Sequence, residues 1–229
     1  SLTSIGDQAF SFCSELTCII LPSSLISIEG AAFQGCYALA EVYNYSRLTI
    51  SKGSTSNGSA GYYAKIVYNA GDLTGEKPAS RIKIIDNVQY YVYGEDFIAL
   101  TLAVSRESLT MLTLDSRTTE IDQQAFRDCS GLTEVDLSNC TGLTSIGSNA
   151  FSGCSGLTSI TLPSSLTSIE SYAFNGCSGL TGELDFSNCT SLISIGDYVF
   201  WGCSGLTEVD LSNCRNLTSI GDEAFNSCS

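Results

Sequence analysis

Histidine is missing from all 229 residues, and methionine and tryptophan occur once each. Without histidine, neither a Ser-His-Asp nor a Cys-His catalytic arrangement can form, and the usual zinc sites lose their nitrogen ligand. No Cys-x-x-Cys motif is present either. We therefore expect no catalytic, cofactor-binding or metal-binding residues, and a protein that is not an enzyme.

Basic residues are also scarce. Ten Lys and Arg stand against twenty-four Asp and Glu, for a formal net charge of −14. This deficit disfavours nucleic acid as a partner, because affinity for it depends on neutralising phosphates with Lys and Arg. Residues 44–108 hold seven basic and six acidic residues, net +1, whereas the rest of the chain holds three and eighteen, net −15. Two compositionally different surfaces are expected.

Long apolar runs are absent as well. No stretch is long enough to span a bilayer, and the start lacks the basic and apolar segments of a signal peptide. The sequence begins at Ser1 and ends at Ser229, in both cases within a repeated pattern. We expect a fragment of a longer protein, so these absences leave its location open.

The sequence does contain a repeat. Residues 157–179 return, with the same apolar and turn positions, as 132–156, 206–229 and 16–38. Leu157 and Leu180 begin successive copies 23 residues apart. Such a period with a fixed apolar pattern predicts a solenoid, in which each coil contacts only its neighbours. Seven copies align on an Ala-Phe or Val-Phe pair, each followed three residues later by cysteine: Cys13, Cys36, Cys129, Cys154, Cys177, Cys203 and Cys228.

Each copy predicts two short extended pieces and one turn. In residues 132–137, the apolar first, fourth and sixth positions predict a strand that packs one face inward and shows Glu134 and Asp136 outward. Residues 143–146 predict a second extended piece on the opposite side. The residue two positions before the Ala of the pair is of a helix N-cap type in six copies, which favours one helical or 3-10 turn through the pair. These residues are Asp7, Gly30, Ser148, Ser171, Asp197 and Asp222, and Gln123 is the exception.

The full pattern, L-T-S-I-x-x-x-A-F-x-x-C-S-x-L-T-x-I-x-L-P-S-S-L, resembles the BspA-like leucine-rich repeats of bacterial and some protist surface proteins. The match covers residues 1–43 and 109–229. The resemblance implies a leucine-rich repeat solenoid, a right-handed α/β horseshoe-type superhelix that is β-rich, with short helical or 3-10 turns and a parallel sheet on its concave face. It also implies a secreted or cell-surface protein, and some members are adhesins for host matrix or plasma proteins.

Residues 44–108 interrupt the pattern, either as an insert or as degenerate coils within a single array of residues 1–229. The Gly- and Ser-rich residues 51–61 predict a surface loop, and Tyr62-Tyr63 follows where an Ala-Phe pair is expected. Residues 71–80 predict another loop. Residues 88–93 and 97–102 predict a β-hairpin with a short turn between them.

The outward strand positions are the first candidate binding surface. In the C-terminal half they are acidic, which suits a basic partner surface or divalent cations, although a solvated polar face is the simpler interpretation. Like charges on adjacent strands repel, which favours some compensation. An extra residue in one strand leaves Gly182 at the third position and Glu183 or Asp185 at the fifth. The candidates are Glu41, Tyr43, Glu134, Asp136, Glu183, Asp185, Glu208 and Asp210.

The tyrosine-rich interruption is the second candidate. Seven of the eleven tyrosines lie in residues 44–108, and tyrosine is enriched at interface hot spots. Alternate hairpin residues such as Tyr90 and Val92 are expected to extend the core. Tyr91, Tyr93 and the loop 51–61 are then expected to be exposed and available to a partner.

These features together suggest a non-enzymatic extracellular or cell-surface module, expected to be monomeric, that binds a protein or glycoprotein of a host or neighbouring cell. The binding surface would be the concave sheet or the interruption. Two alternatives stay open. The chain is a structural spacer within a longer surface protein, or, more distantly, it binds or hydrolyses polysaccharide.

Ten of the eleven cysteines form two sets that recur at fixed repeat positions, seven after the Phe and three more at Cys140, Cys189 and Cys214. Each set should form a ladder at the strand spacing of about 4.8 Å, with side chains that point in parallel rather than toward each other. We expect buried free thiols that fill small volumes of the core. Cys18, at an outward strand position, is expected to be the most reactive.

Thiol titration of the denatured, unreduced protein tests this expectation. Because in-register side chains are poorly placed for bridging, at least about nine of the cysteines should react. A clearly smaller number would mean that disulfides link the ladders.

Overall fold

The computed structural model describes residues 2–73, 78–102 and 105–228. The chain divides into two compact units, unit 1 (Ser1–Ile82) and unit 2 (Lys83–Ser229). Both are built from coils of a β-solenoid, in which most strands are parallel and the connections are short turns. The predicted solenoid class is therefore confirmed.

Unit 1 contains two small parallel sheets. One pairs β1 (Ser4–Ile5) with β3 (Ser27–Ile28). The other has the order β2-β4-β5, formed by Cys18–Leu21, Glu41–Asn44 and Ile66–Tyr68. A 3-10 segment, Asn57–Ser59, lies between β4 and β5.

Unit 2 also places its strands in two sets. The second extended piece of each repeat joins an eight-stranded sheet, and the first piece forms sheets of three and two strands. The 3-10 segment Arg106–Ser108 precedes the first regular repeat. The eight-stranded sheet contains β6 (Ile82–Ile85), β7 (Val88–Tyr93), β8 (Asp96–Leu102), β10 (Thr118–Ile121), β12 (Ser145–Ile146), β14 (Ser168–Ile169), β16 (Ser194–Ile195) and β18 (Ser219–Ile220). The three-stranded sheet contains β9 (Met111–Leu112), β11 (Glu134–Asp136) and β13 (Ser159–Thr161). The two-stranded sheet contains β15 (Thr181–Asp185) and β17 (Gly205–Asp210).

The predicted strands and hairpin are confirmed. Strand β11 exposes Glu134 and Asp136 and buries Val135 between them, as a period of two requires. The Ser-Ile pieces pair in register from coil to coil, for example Ile146 with Ile169. Strands β7 and β8 pair antiparallel around the turn at Gly94 and form the predicted hairpin.

The expected turn through the Ala-Phe pair is of the 3-10 type, and it does not extend into an α-helix. The turn at Ala150-Phe151 is closed by backbone hydrogen bonds between residues three apart, such as Cys154 N to Phe151 O at 3.2 Å. Asn149, just before the pair, has φ of 57°, and Gly153, two residues after the Phe, has φ of 76°. A right-handed helix cannot continue through two left-handed residues, so the turn cannot extend into one.

These turns form a third ladder of hydrogen bonds between coils. Asn149 N, Phe151 N and Gly153 N donate to Ser171 O, Ala173 O and Asn175 O of the next coil, at 3.1, 2.7 and 2.8 Å. The side chains expected to cap a helix also bond to the next coil. Asp7 Oδ1 accepts from Ala31 N at 2.9 Å, and Asp197 Oδ1 accepts from Asp222 N at 2.9 Å.

Stacked phenylalanines and buried cysteines fill the core behind the turns. The rings of Phe151 and Phe174 lie 5.1 Å apart and within 3° of parallel. Five cysteines of the main set donate the thiol to the carbonyl of the Phe one coil earlier, as Cys177 Sγ does to Phe151 O at 3.2 Å; the others are Cys36, Cys154, Cys203 and Cys228. Burial raises the pKa of Cys203 to about 12. The repeated cysteine is thus a small core residue that also satisfies a buried carbonyl.

None of the eleven cysteines, all of which lie in the described residues, forms a disulfide. Cys13 is exposed, whereas Cys18 is only partly exposed. Cys13 belongs to the first coil that the structure describes. Sequence reasoning did not distinguish it from its buried counterparts.

Residues 44–68 make a coil of unit 1 rather than a separate fold. Strand β5 continues the sheet in register, with Glu41 opposite Ile66. Phe33 N donates to Gly58 O at 2.7 Å, as Phe10 N donates to Ala32 O at 2.8 Å. Gly58, and not Tyr62, therefore takes the place of the repeat alanine. We infer a degenerate coil here. The loop expected at 71–80 falls partly on residues 74–77, which are outside the described residues.

Close packing of successive coils predicts which glycines resist substitution. A Cβ on Gly147 would lie 2.7 Å from Gln123 N and 2.8 Å from Ile121 O, which are backbone atoms of the previous coil. A Cβ on Gly142 would meet only the Thr119 side chain, at 3.6 Å. Gly147→Ala should lower the free energy of unfolding by about 1–3 kcal/mol, as overpacking does. Gly142→Ala is the matched control and should leave it nearly unchanged. Equal urea midpoints for the two variants would contradict this packing.

Candidate functional site

The predicted carboxylates of unit 2 lie on one side of the first set of strands. We call this surface the acidic face. Strands β15 and β17 place Glu183 beside Glu208 and Asp185 beside Asp210. The register shifts after Gly182, which has φ of 76° and pairs with Leu206; Thr207 is then skipped, and Glu183 pairs with Glu208. Glu183 therefore occupies the third position that was expected for Gly182. The acidic face consists of Glu134, Asp136, Glu183, Asp185, Glu208 and Asp210.

The N-terminal part of the acidic face is less uniformly charged. Glu134 pairs in register with Met111 on one side and Ser159 on the other. Met111 is 64% exposed, which is unusual for a large apolar side chain. A shallow depression of about 320 Å³ opens here, lined by Met111, Leu112, Thr113, Glu134, Asp136 and Asn139.

The three aspartates of the acidic face also have a structural function. Each accepts a hydrogen bond from the backbone N–H two residues later: Asp136 from Ser138 at 2.9 Å, Asp185 from Ser187 at 2.6 Å and Asp210 from Ser212 at 2.8 Å. The bond orders the turn that ends each strand. The serine side chain and then its backbone N–H hold the pKa of each of these carboxyl groups below its usual range. The recurring Asp-x-Ser spacing was the signal for this function, and sequence reasoning missed it.

The three glutamates are less tied to the fold. Glu134, Glu183 and Glu208 are exposed. Within the described ranges, none of the three has a Lys or Arg partner, whereas Asp115 pairs with Arg117 and Asp128 with Arg127. Their charges are therefore available to solvent or to a partner.

Glu41 and Tyr43 of unit 1 are not exposed, contrary to expectation. Both are fully buried, because residues 78–81 cross over their strand. Glu41 accepts hydrogen bonds from Ser80 Oγ at 2.8 Å and from Arg81 N at 2.5 Å. The Tyr43 hydroxyl lies 3.4 Å from Pro78 O. Neither residue belongs to the free surface, and a contact some 40 residues away in sequence gave no local signal.

Tyr91 is also buried, at 5% exposure, while Tyr93 is exposed at 62%. Tyr90, on the opposite side of the strand, is fully buried. Both faces of the hairpin are thus covered at this point, and the expectation of one exposed face was wrong for Tyr91. Tyr93 lies beside the turn, opposite Asp96, and remains exposed there.

The loop 51–61 is exposed only in its first half. Residues 51–53 and 55–56 are exposed, whereas Gly58, Ala60 and Gly61 are buried. A Cβ on Gly58 would lie 2.7 Å from the Ala32 Cβ, so the second half of the loop packs on the previous coil.

The described residues also bear on metal sites and membrane spans. In residues 2–73, 78–102 and 105–228, no three Cys, Asp or Glu side chains group in a way that suits a metal ion. Over the same ranges, no helix has both the length and the apolar character needed to cross a bilayer.

One solved structure shows the same fold, and others align with it in part. A leucine-rich cell-surface protein of Faecalibacterium prausnitzii aligns with a TM-score of 0.55 and 22% identity, covering 100% of this chain and 73% of that one. The pneumococcal vaccine antigen PcpA aligns with a TM-score of 0.49 and 21% identity, covering 97% and 61%. The leucine-rich repeat protein of T. pallidum gives 0.43 and 26%, covering 65% and 82%. No curated protein sequence matches the chain significantly.

The family follows from the repeats themselves. A model of the BspA type leucine-rich repeat region matches six copies, over residues 1–60 and 103–229. These ranges contain the Ala-Phe turns, the cysteine ladder and both sets of strands. The chain belongs to the BspA type leucine-rich repeat family.

Proposed function

We propose that this chain is a non-enzymatic extracellular recognition module whose acidic face binds a basic protein or glycoprotein surface of a host or neighbouring cell. The observation that carries the proposal is the register of Glu183 with Glu208 and of Asp185 with Asp210. Two unit charges at about 4 Å repel by about 1 kcal/mol even in water. A cationic partner relieves this repulsion, and so gains attraction from groups that the fold leaves uncompensated.

The family supports the location and the kind of function. The F. prausnitzii protein of the same fold is described as a cell-surface protein, and the pneumococcal protein as a vaccine antigen. A surface location places the acidic face within reach of other cells and of secreted macromolecules. The exposed Met111 next to Glu134 adds apolar area at one end of the acidic face, which suits a protein ligand.

Two other functions compete with this proposal. As a structural spacer, the chain would bind nothing through the acidic face, and its carboxylates would only keep the surface soluble. As a polysaccharide-binding module, it would depend on sugar contacts, which are less sensitive to salt than charge pairs.

Neutralising the three glutamates tests the proposal without disturbing the turns that the aspartates order. The triple variant Glu134→Gln, Glu183→Gln, Glu208→Gln should bind its partner about tenfold more weakly, chiefly through slower association. The matched control is Glu107→Gln, Glu170→Gln, Glu223→Gln, which removes as many exposed charges elsewhere in unit 2. Surface plasmon resonance against purified matrix and plasma proteins, at low and raised salt, measures both.

The proposal fails if both triple variants bind equally well, or if no protein of the panel binds the wild-type chain. The second result favours the spacer. Binding to a glycan array that survives raised salt and all three substitutions favours the polysaccharide alternative.

A further inference from the structure

The strand face of unit 1 differs in character from the acidic face. We define it by the outward residues of β2, β4 and β5, which pair in register as Cys18, Glu41 and Ile66, and as Ile20, Tyr43 and Tyr68. The rings of Tyr43 and Tyr68 stack with centroids 5.1 Å apart, and Ile20 is 52% exposed. This face is apolar and aromatic around a single carboxylate.

Residues 78–81, which we call the strap, lie across this face. The Glu41 carboxylate receives Ser80 Oγ and Arg81 N on its two oxygens, and the Tyr43 hydroxyl donates to the same carboxylate at 3.1 Å. Glu41 is left with no solvent exposure. A buried carboxylate is tolerated only when hydrogen bonds replace the lost water, so the strap and Tyr43 supply what Glu41 needs.

The strap makes its contacts as a bound peptide does. It donates a backbone N–H and a serine hydroxyl, while Ala79 and Ser80 remain exposed as residues. The strap is not part of any strand. Polar contacts with Glu41 and Tyr43 attach it to the face: two hydrogen bonds to Glu41, and Pro78 O 3.4 Å from the Tyr43 hydroxyl. Burial and then the Glu41 charge raise the pKa of Tyr43, so that its hydroxyl stays protonated and able to donate.

We propose that the strand face of unit 1 is a binding site for an extended peptide segment of another protein, and that the strap occupies it as an intramolecular competitor. Glu41 is the recognition residue: it accepts the hydroxyl of a Ser or Thr and the backbone N–H of the residue that follows. Tyr43 and Tyr68 form the floor, and Ile20 offers an apolar contact beside it. The site lies in unit 1 and does not depend on the function proposed for the acidic face of unit 2.

The first part of the test measures the attachment of the strap. Trypsin can cleave after Arg81 only when the strap leaves the face and enters the active site of the protease in an extended conformation. Glu41→Gln removes the charge and one acceptor, and should speed cleavage after Arg81 about tenfold. Ser80→Ala removes one donor without altering the buried strand and should act in the same direction, more weakly. Glu134→Gln, at the equivalent third position in unit 2, is the control and should have no effect.

The second part measures binding in trans. A variant with glycine at each of positions 78–81 leaves the face open, and the probe is a fluorescein-labelled peptide with the sequence of residues 78–83. Fluorescence anisotropy should give a Kd for the peptide that is at least about tenfold lower for this variant than for the wild-type chain, because the wild-type strap competes with the peptide for the face. Adding Glu41→Gln to the open variant, or replacing the serine of the peptide with alanine, should remove most of the binding.

Three results would overturn the proposal. Unchanged cleavage in both Glu41→Gln and Ser80→Ala would show that Glu41 does not hold the strap. Equal or undetectable peptide binding by the open and wild-type chains would show that the face is no peptide site. A wild-type dimer in light scattering that the glycine variant loses would mean that the occupant is the strap of a second copy.

Discussion

The backbone hydrogen bond from each repeat Phe to the coil that follows constrains the rest of the structure. It forms in a turn that has a left-handed residue two positions after the Phe in every copy, and another directly before the Ala-Phe pair in six of the seven. Once the turn is fixed, the Phe rings must stack, and the Phe carbonyl needs the thiol of the next coil. The Phe, the left-handed residue two positions later and the cysteine are thus parts of one arrangement.

This arrangement leaves the outward strand positions free to vary. In unit 2 the free positions carry carboxylates, and three of these also order turns through the Asp-x-Ser hydrogen bond. In unit 1 the corresponding positions carry Glu41 and Tyr43, which the chain covers with its own residues. The same scaffold therefore presents one open charged surface and one occupied apolar surface. A difference of this kind between coils is how a repeat protein acquires distinct binding sites without changing its core.

Much of the fold could be predicted because the same pattern of apolar and turn residues recurs in every repeat. The two strands of a coil, the hairpin of residues 88–102 and the burial of the cysteine ladder all follow from local spacing. The left-handed residues of the turn could not be predicted, since residues such as Asn149 and Tyr172 do not require positive φ on their own and adopt it to reach the next coil. Glu41 was misplaced for a related reason: its environment is set by Ser80 and Arg81, which no period connects to it. Tyr91 shows that the alternation of side chains along a strand identifies one buried face, but does not reveal whether other residues cover the opposite face.

Amide hydrogen exchange tests the central constraint most directly. Asn149, Tyr172 and Tyr198 lie on surface turns, yet their backbone N–H groups donate to Ser171 O, Asp197 O and Asp222 O of the next coil at 3.1, 2.9 and 2.9 Å. If the turn ladder holds the coils together, these three amides should exchange about a thousandfold or more slowly than in an unstructured peptide, in step with the buried amides of Phe151 and Phe174. Exchange at the rate of an exposed loop, while the strand amides stay protected, would contradict the account.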